Sequence, residues 1–489
     1  MTNILRIYFF WVVSIFYTPL HANADEQQHP KRTLNGNMTL NWHITPGSAR
    51  DLNEVFSKGI AYGRLRSNLF YWDQKNETSS RQDNRANGFG GSVIFKTASL
   101  HGFSATVGLY TTQSASFFRE DREDVLFVRS GKDTFDRNKV LNGGDFAISK
   151  IGEAYLRYDV ANTSIVAGRQ LFESMLTASN DTKMIPNVFD GLSVINKGIA
   201  DTTLKFAYFT RQSLRDHTSS HDVIAWDRFE QNDDSGSNRS LTPDLVGTDN
   251  SLIVAQIDNS SINALNLRLS YTAVPDVFYT LGAEANYTIR LSDKWSITPG
   301  MRYLAQLDDL NSTSEVAHLG GEGRAAGFGY SDPTSLDSSL FNARVDLKKG
   351  NFRFRLGFSK VADDADIVAP FRGFPTGGYS RAMSQLNWRA NTKTTMFRAD
   401  YRFSIAGPLN GVRLLARYAI QNYDDNKDYV PADSRVIHVD LTKQITINLH
   451  ARLRFGLASA SDNIQQANLG GTKYDGSYKE YRFELNYLF

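Results

Sequence analysis

The chain has 489 residues, no cysteine and a formal net charge of +2, with 12% aromatic and 41% hydrophobic residues. The lack of cysteine excludes a disulfide framework and a thiolate metal site, and the near-neutral charge gives no sign of a nucleic-acid partner. The length is long for one soluble domain. Membrane barrels combine many aromatic residues with modest hydrophobicity, because every second strand residue faces water.

Residues 1–24 have the features of a secretory signal peptide. A basic residue precedes an apolar run from Tyr8 to Leu20, and an Ala-x-Ala pattern ends at Ala24. The run is shorter than the about 20 apolar residues that a membrane-spanning helix needs. We therefore predict export of the chain and cleavage after Ala24, followed by a periplasmic N-terminal segment over 25–58.

From Ile60 onward, apolar and polar residues alternate over segments of about ten residues, which is typical of membrane-spanning strands. The gaps between segments are short and long in turn, as expected for periplasmic turns and extracellular loops. The pattern predicts an all-β fold over 59–489, a transmembrane antiparallel up-and-down β-barrel. Its eighteen predicted strands are 60–72, 88–97, 102–112, 150–160, 163–171, 188–196, 201–211, 251–258, 262–274, 278–291, 295–307, 338–349, 351–361, 394–406, 410–422, 434–444, 446–460 and 479–489.

A nineteenth candidate strand, Arg381 to Arg389, alternates only weakly. Both termini of a bacterial barrel are expected on the periplasmic side, so the number of strands must be even. We therefore assign this segment to an external loop. The largest predicted external loops are 113–149, 212–250, 308–337 and 362–393.

The C-terminal sequence YRFELNYLF shows the alternation most clearly. One face of this strand is apolar and the other is charged or polar, which is the pattern of a wall between lipid and water. Leu488 alone breaks it. The apolar face has Tyr481, Phe483, Leu485, Tyr487 and Phe489, and the polar face has Glu480, Arg482, Glu484 and Asn486.

The inward phase of the second half is rich in arginine. An arginine on the lipid face at the bilayer midplane costs about 2 to 4 kcal/mol, so these side chains are expected in the lumen. One interpretation is that they pair with acids across a wide polar lumen; the other is an electropositive track that concentrates anionic solutes. The predicted track is Arg344, Arg353, Arg355, Arg398, Arg402, Arg413, Arg417, Arg452 and Arg454.

Two stretches go beyond general barrel patterning. They are DLNEVFSKGIAYGRLRSNLFYW, from Asp51 to Trp72, and AGRQLFESMLTASNDTKMIPNVFDGLSV, from Ala167 to Val194. Both resemble the OprD-like porin family, particularly its epsilon-proteobacterial versions. The second stretch contains Gly-Arg-Gln, then Ser-x-Asp-x-basic, then Pro-x-x-Phe, and the resemblance spans about 50 to 489.

The resemblance implies an eighteen-stranded barrel whose inward-folded loops and basic ladder form a narrow constriction for amino acids or small peptides. The loop from Phe172 to Pro186 is the third external loop, which folds inward in such porins. Asp181 and Lys183 are therefore candidates for the constriction. The alternative is that these two side chains pair with each other and fix the loop. The long loops 113–149 and 362–393 depart from better known members of the family.

Enzyme and metal motifs are absent from the sequence, so we predict no enzyme activity, no cofactor and no metal site. His217 and His221 have an H-x-x-x-H spacing, but they lie in a polar segment without the following Glu. Acidic clusters occur at 363–366 and 424–428 without the regular ligand spacing of a calcium loop. Both features are interpreted as solvated loops.

The leading prediction is a porin for passive diffusion of small hydrophilic solutes, favouring anionic or carboxylate-bearing ones, in the Gram-negative outer membrane. A surface-exposed structural or adhesive barrel is the alternative, and a barrel enzyme is a weaker one because no nucleophile and base can be assembled. Expected partners are outer-membrane lipid and lipopolysaccharide, the solutes, and the barrel-assembly machinery through Phe489. No nucleic-acid partner is expected, and a homotrimer stays open.

Overall fold

A computed structural model describes residues 32–77, 81–226, 239–320, 329–405, 407–461 and 473–489. The predicted signal peptide lies outside the described residues. Among these residues, none of the helices has the length and apolar character that crossing a membrane requires.

The described residues form 21 strands. They are β1 (Arg32–Leu34), β2 (Leu40–Trp42), β3 (Ile60–Gln74), β4 (Asn84–Lys96), β5 (Phe103–Gln113), β6 (Ala147–Val160), β7 (Thr163–Gln170), β8 (Val188–Asn196), β9 (Thr202–Ser213), β10 (Leu252–Asn259), β11 (Leu265–Val274), β12 (Phe278–Tyr287), β13 (Ile289–Arg290), β14 (Trp295–Asp308), β15 (Ser338–Lys349), β16 (Phe352–Val361), β17 (Lys393–Arg402), β18 (Arg413–Asn422), β19 (Ser434–Gln444), β20 (Leu449–Ala460) and β21 (Tyr478–Leu488).

The helices of the described residues are all short. They are α1 (Leu52–Ser57), α2 (Arg137–Leu141) and α3 (Pro243–Val246), with 3-10 turns at Ser116–Phe118, Arg122–Phe127 and Lys132–Thr134. Helix α1 begins at Asp51, whose side chain accepts a hydrogen bond from the backbone of Glu54 and so satisfies one of the free N–H groups of the first turn.

Strands β3 to β21 form one closed antiparallel barrel in which each strand pairs with its neighbours in the chain. Strands β12 and β13 both pair with β14 and count as one interrupted strand, so the barrel has eighteen strands. This confirms the predicted fold. Strands β1 and β2 form a separate two-stranded sheet, and Arg381–Arg389 lies in a loop, as predicted.

The two faces of the wall follow the sequence alternation. On β16, Phe352, Phe354 and Leu356 are exposed on the outside, whereas Arg355 and Gly357 are buried on the inside. Burial on the inner face comes from loops that fold into the lumen, because a barrel of this width cannot fill its interior with wall side chains alone.

The barrel closes between its N-terminal and C-terminal strands. Strand β21 pairs with β3 from Tyr478 with Gln74 to Leu488 with Arg64. The backbone of Phe489 continues this ladder, since it exchanges hydrogen bonds of 2.9 and 3.0 Å with Gly63. Every strand edge of the wall is thereby paired.

Short turns lie at one end of the barrel and the long loops at the other, where the three-residue turn 275–277 is an exception. The largest loops are 114–146, 214–251, 309–337 and 362–392, close to the predicted limits. Apolar side chains from these loops pack against inward residues of β8 to β12 and form the largest core cluster, which includes Phe189, Phe209, Val223, Leu252 and Phe371.

The prediction of solvated loops is wrong at two places. His217 and His221 are both buried, with ring centroids 4.7 Å apart, because the loop folds back onto the inner wall. Within the acidic clusters, Asp366, Asp424 and Asp428 are also buried. For example, Asp424 accepts a hydrogen bond of 2.8 Å from the buried Lys427, so the charge is paired rather than solvated.

Candidate functional site: a basic constriction in the lumen

Two loops fold into the lumen and join there. Loop L3 comprises residues 171–187, and loop L7 comprises residues 362–392. The backbone N–H of Ala178 donates to the carbonyl of Phe371 at 2.9 Å, and that of Gly373 donates to the carbonyl of Leu176 at 3.0 Å. L3 and L7 therefore act as one layer across the lumen.

Glycines allow this layer to pack closely. A Cβ atom on Gly373 would lie 2.1 Å from the backbone of Leu176, and one on Gly357 of β16 would lie 2.1 Å from the carbonyl oxygen of Tyr379. Both distances are far inside van der Waals contact. Glycine is thus required where L7 meets L3 and where L7 meets the wall.

Arginines of the wall hold L7 in place. Arg344 donates to the carbonyl of Gly378 at 2.9 Å, and Arg355 donates to the same oxygen. Both guanidinium groups also lie near Asp346, at 3.7 and 2.7 Å. These two members of the predicted track therefore have a structural role, because both hold the same carbonyl group of L7 against the wall.

Asp181 of L3 lies against β3 rather than in open solution. Its carboxylate accepts hydrogen bonds from Arg64 and, at 2.8 Å, from Arg66. Arg66 also pairs with Glu484 of β21 at 2.7 Å. All four side chains are buried, so two arginines and two carboxylates form a neutral cluster that fastens L3 to the seam of the barrel.

Lys183 has different partners from Asp181. Its ammonium group donates to the carbonyl of Ser130 and lies 3.8 Å from Asp133, which in turn pairs with Arg215 at 2.8 Å. Burial, together with the charge of Arg482, lowers the pKa of Lys183 well below its usual value. The two predicted residues therefore fix L3 through separate partners and not by pairing with each other.

The space beside this layer is a narrow cavity of about 110 Å³. It is lined by residues of L3, of L7 and of the loops 114–146 and 214–251, together with inward residues of β18, β20 and β21. Six arginines and Lys183 face a single carboxylate, that of Asp133. The arginines are Arg129, Arg215, Arg381, Arg417, Arg454 and Arg482.

Two carboxylates on the short-turn side of the constriction each form ion pairs with two arginines. A carboxylate carries one negative charge, so each group keeps one positive charge in excess. Such a group can hold its geometry and still attract an anion. The groups are Arg398 and Arg413 with Asp400, and Arg452 and Arg454 with Asp440, at distances of 2.6 to 2.8 Å.

Three members of the predicted track have no described counter-charge. No ion pair joins Arg353, Arg402 or Arg417 to a carboxylate in the part of the chain that the structure describes. Arg417 lies within the constriction, where one guanidinium nitrogen is 3.3 Å from Nδ1 of His438.

The lumen on the short-turn side is divided by charge. A cavity of about 740 Å³ beside β17 to β20 is lined by Arg402, Arg413, Arg452 and one carboxylate, Asp440. A second cavity of about 510 Å³, beside β9 to β12, is lined by two cations and three carboxylates. The cations are Lys197 and Arg268, and the carboxylates are Asp201, Asp258 and Glu284. The basic surface thus follows one wall.

The sequence analysis did not identify several of the residues that form this site. Arg64 and Arg66 alternate with Leu65 in the same way as the arginines of the predicted track, so extending the phase argument to β3 would have found them. Arg129, Arg215 and the other loop cations carry no such signal, because loops have no fixed periodicity.

Comparisons with known proteins agree with the barrel fold. A family model described as outer membrane porin, OprD family, matches residues 143–488. The fold is similar to that of OccAB3 from Acinetobacter baumannii, with a TM-score of 0.68 and 16% identity over 88% of this chain and 99% of that one. It is also similar to a BenF-like porin from Pseudomonas fluorescens Pf-5, with a TM-score of 0.65 and 13% identity over 89% and 99%.

A third similar structure is Pseudomonas aeruginosa OpdK with vanillate. The TM-score is 0.61 and the identity is 16% over 88% of this chain and 98% of that one. No curated protein matches the sequence significantly. At these identities the solved structures support the shared barrel fold, and the family model adds a match over most of the wall.

Proposed function

The chain belongs to the OprD family of outer membrane porins, and from this premise we propose that it passes small anionic solutes along a basic path through its lumen. Porins of this family are channels rather than enzymes, and they lie in the outer membrane of Gram-negative cells. The proposal concerns the charge preference, the solute class and the residues of the path.

The charge imbalance at the constriction carries the proposal. Six arginines line a cavity of about 110 Å³, and Asp133 is the one carboxylate in its described lining. Two of these arginines, Arg454 and Arg482, also pair with Asp440 and Glu480, so three carboxylates stand against six arginines. A cleft of one sign with low-dielectric walls concentrates ions of the opposite sign. A cation would meet repulsion at the narrowest place, whereas an anion would be attracted there.

Below the constriction, positive charge continues along the wall. Arg413 and Arg402 lie on the adjacent strands β18 and β17, directly opposite each other in the ladder. Guanidinium groups bind carboxylates with two parallel hydrogen bonds, so neighbouring arginines can pass a carboxylate from one to the next. Shared counter-charges such as Asp400 keep each contact weak enough for release, as conduction demands.

The solute class is carboxylate-bearing molecules such as amino acids, small peptides and aromatic acids. The similarity to OpdK, whose structure contains vanillate, supports an aromatic carboxylate as one test solute. The resemblance to epsilon-proteobacterial members rests on the stretches 51–72 and 167–194 alone. Assembly through Phe489, contact with lipopolysaccharide and association as a homotrimer belong to the same proposal.

Planar-bilayer recording with salt-gradient reversal potentials tests the proposal. The wild type should give conductance steps with anion preference. Replacing four path cations, Arg398→Gln, Arg402→Gln, Arg413→Gln and Arg417→Gln together, should lower that preference. Absence of steps would overturn the channel, and cation selectivity in the wild type would overturn the basic path.

A matched control removes the same charge from the outer face. Lys349, Lys360, Lys393 and Lys479 are exposed and lie on the outward phase of their strands. Replacing all four by Gln should leave the reversal potential unchanged. An equal shift in both variants would show that total charge, and not the lumenal path, sets the selectivity.

A further inference from the structure

The β1–β2 hairpin lies inside the barrel. Its turn reaches L3 from the short-turn side, because Arg64 donates to the carbonyl of Met38 at 2.7 Å and Asn37 donates to Glu173 at 2.9 Å. Arg64 is the residue that also binds Asp181. The hairpin therefore touches the lower surface of the constriction.

The wall holds the hairpin at two further points. Trp42 stacks on Tyr62 of β3, with ring centroids 5.1 Å apart and planes 14° apart. Arg32 donates to Asn448, in the turn between β19 and β20, at 3.1 Å. An isolated two-stranded hairpin is at best marginally stable in water, so these contacts with the wall are what keep it in the lumen.

The turn of the hairpin forms one side of the basic cavity of about 740 Å³. Thr33, Asn35 and Gly36 lie on that side, and Arg402, Arg413 and Arg452 are among the residues of the other sides. A Cβ atom on Gly36 would have no other atom within 4 Å, so this residue borders open space. The hairpin therefore contacts the cavity as well as the wall.

We propose that the β1–β2 hairpin permanently lines one side of the permeation path. It forms a second narrowing on the periplasmic side, where it confines carboxylate-bearing solutes against Arg402, Arg413 and Arg452 after they leave the constriction. The proposal rests on the proposed function, and it adds a selectivity element that precedes the barrel in the chain.

Cysteine modification tests the hairpin directly, because the chain has no cysteine of its own. The variant Gly36→Cys places one thiol at the cavity, and a methanethiosulfonate reagent bearing a sulfonate adds a negative charge there. The expected result is lower conductance and a reversal potential shifted toward cations. A unit charge about 5 Å away in water changes the permeability of each ion by about fourfold, downward for anions and upward for cations. The ratio of anion to cation permeability should therefore fall by up to about sixteenfold.

A reagent bearing a trimethylammonium group separates charge from bulk. It should also lower the conductance but should not shift the reversal potential toward cations. The control variant is Leu52→Cys on α1, whose side chain is 72% exposed and does not line the cavity. Its modification should change neither quantity, with labelling of both variants verified by mass.

Complete labelling of Gly36→Cys without any change in conductance would overturn the proposal. If that variant does not fold, Asn35→Cys offers a thiol on the same cavity and the same criterion applies. Wild-type steps with anion preference but no response to labelling would contradict the hairpin alone. Absence of steps in the wild type would contradict the proposed function instead.

Discussion

Arginines of one inward phase have opposite environments on two parts of the wall. On β3, the side chain of Arg64 is 1% exposed and bound to Asp181. On β18, the side chain of Arg413 is 47% exposed although it also has a carboxylate partner, Asp400. The first part, β3 with β21, is covered by L3, whereas the second part, β17 to β20, borders the basic cavity.

This difference shows that strand phase does not decide what a lumenal arginine does. Phase sends the side chain inward, and loop coverage then decides whether it becomes a buried clamp or a solvated charge. Buried ion pairs depend on both partners, because loss of one leaves an uncompensated charge in a medium of low dielectric. Solvated arginines do not have this constraint and can act on solutes.

The largest expected effect comes from removing the counter-charge of the covered wall. Asp181→Asn leaves Arg64 beside Arg66 with only Glu484 as a carboxylate partner. Breaking such a buried pair costs about 3 to 5 kcal/mol. We expect a lower urea midpoint for the refolded barrel and a larger or noisier conductance, since L3 loses one of its attachments to the wall.

The control for this variant is an exposed pair of the same kind. Arg157 and Asp159 lie 2.8 Å apart with side chains more than 40% exposed, so Asp159→Asn should cost at most about 1 kcal/mol. Equal stability losses in the two variants would remove the distinction between covered and open charges.

A smaller effect should follow from pH, through the loop 214–251. Burial lowers the pKa of His221 to about 4, below its ordinary value of about 6.5. The folded loop keeps this histidine neutral, whereas an opened loop would take up a proton between these two values. As pH falls from about 6.5 to about 4, His221 favours opening by about 1.4 kcal/mol per pH unit, and not above that range. His217, whose pKa burial also lowers, adds to this effect. Burial raises the pKa of Asp216 in the same loop to about 6, which opposes opening, but two histidines act against this one carboxyl group.

Limited proteolysis measures this opening. Nicking within 214–251 should accelerate between pH 6.5 and 5.5 and should be unchanged between pH 8.5 and 7.5. The double variant His217→Gln with His221→Gln should lose this acceleration, because only the opposing Asp216 remains. A wild-type rate that is flat with pH, or a variant that retains the acceleration, would contradict the assignment.

The smallest expected effect is on selectivity, from one open charge. Arg417→Gln removes a cation that has no described carboxylate partner at the constriction. A unit charge about 5 Å from a passing ion is worth about 0.8 kcal/mol in water. Because the anion and the cation are affected in opposite directions, we expect the anion-to-cation permeability ratio to fall by up to about sixteenfold. No loss of stability is expected, as measured by urea unfolding beside the reversal potentials.

Lys393→Gln on the outward face is the matched control and should leave the ratio unchanged. A stability loss in Arg417→Gln as large as that in Asp181→Asn would place Arg417 with the covered wall instead.

The wall could be predicted from the sequence because the alternation within each strand shows which residues face lipid and which face the lumen. All eighteen predicted strands correspond to strands of the barrel, and the loop assignment of 381–389 is confirmed. Alternation is a local property, so one sequence is sufficient for it.

The interior could not be predicted in the same way, because it depends on contacts between distant loops. The sequence predicts Arg344 and Arg355 as residues of the track, yet both donate hydrogen bonds to the carbonyl of Gly378 in L7. His217 and Asp424 read as solvated because their neighbours are polar, yet both are buried by segments far away in the chain. Polar composition does not reveal whether a loop folds inward.

The pairing of β21 with β3 also distinguishes a complete barrel wall from an incomplete one. Glu484 of β21 supplies one of the carboxylates of Arg66, and Phe489 occupies the backbone partners of Gly63. Until β21 arrives, β3 presents an open edge that can template the addition of a foreign strand, and Arg66 lacks one of its partners. Insertion of β21 pairs the open edges of β20 and β3 and supplies the missing partner of Arg66 in one step.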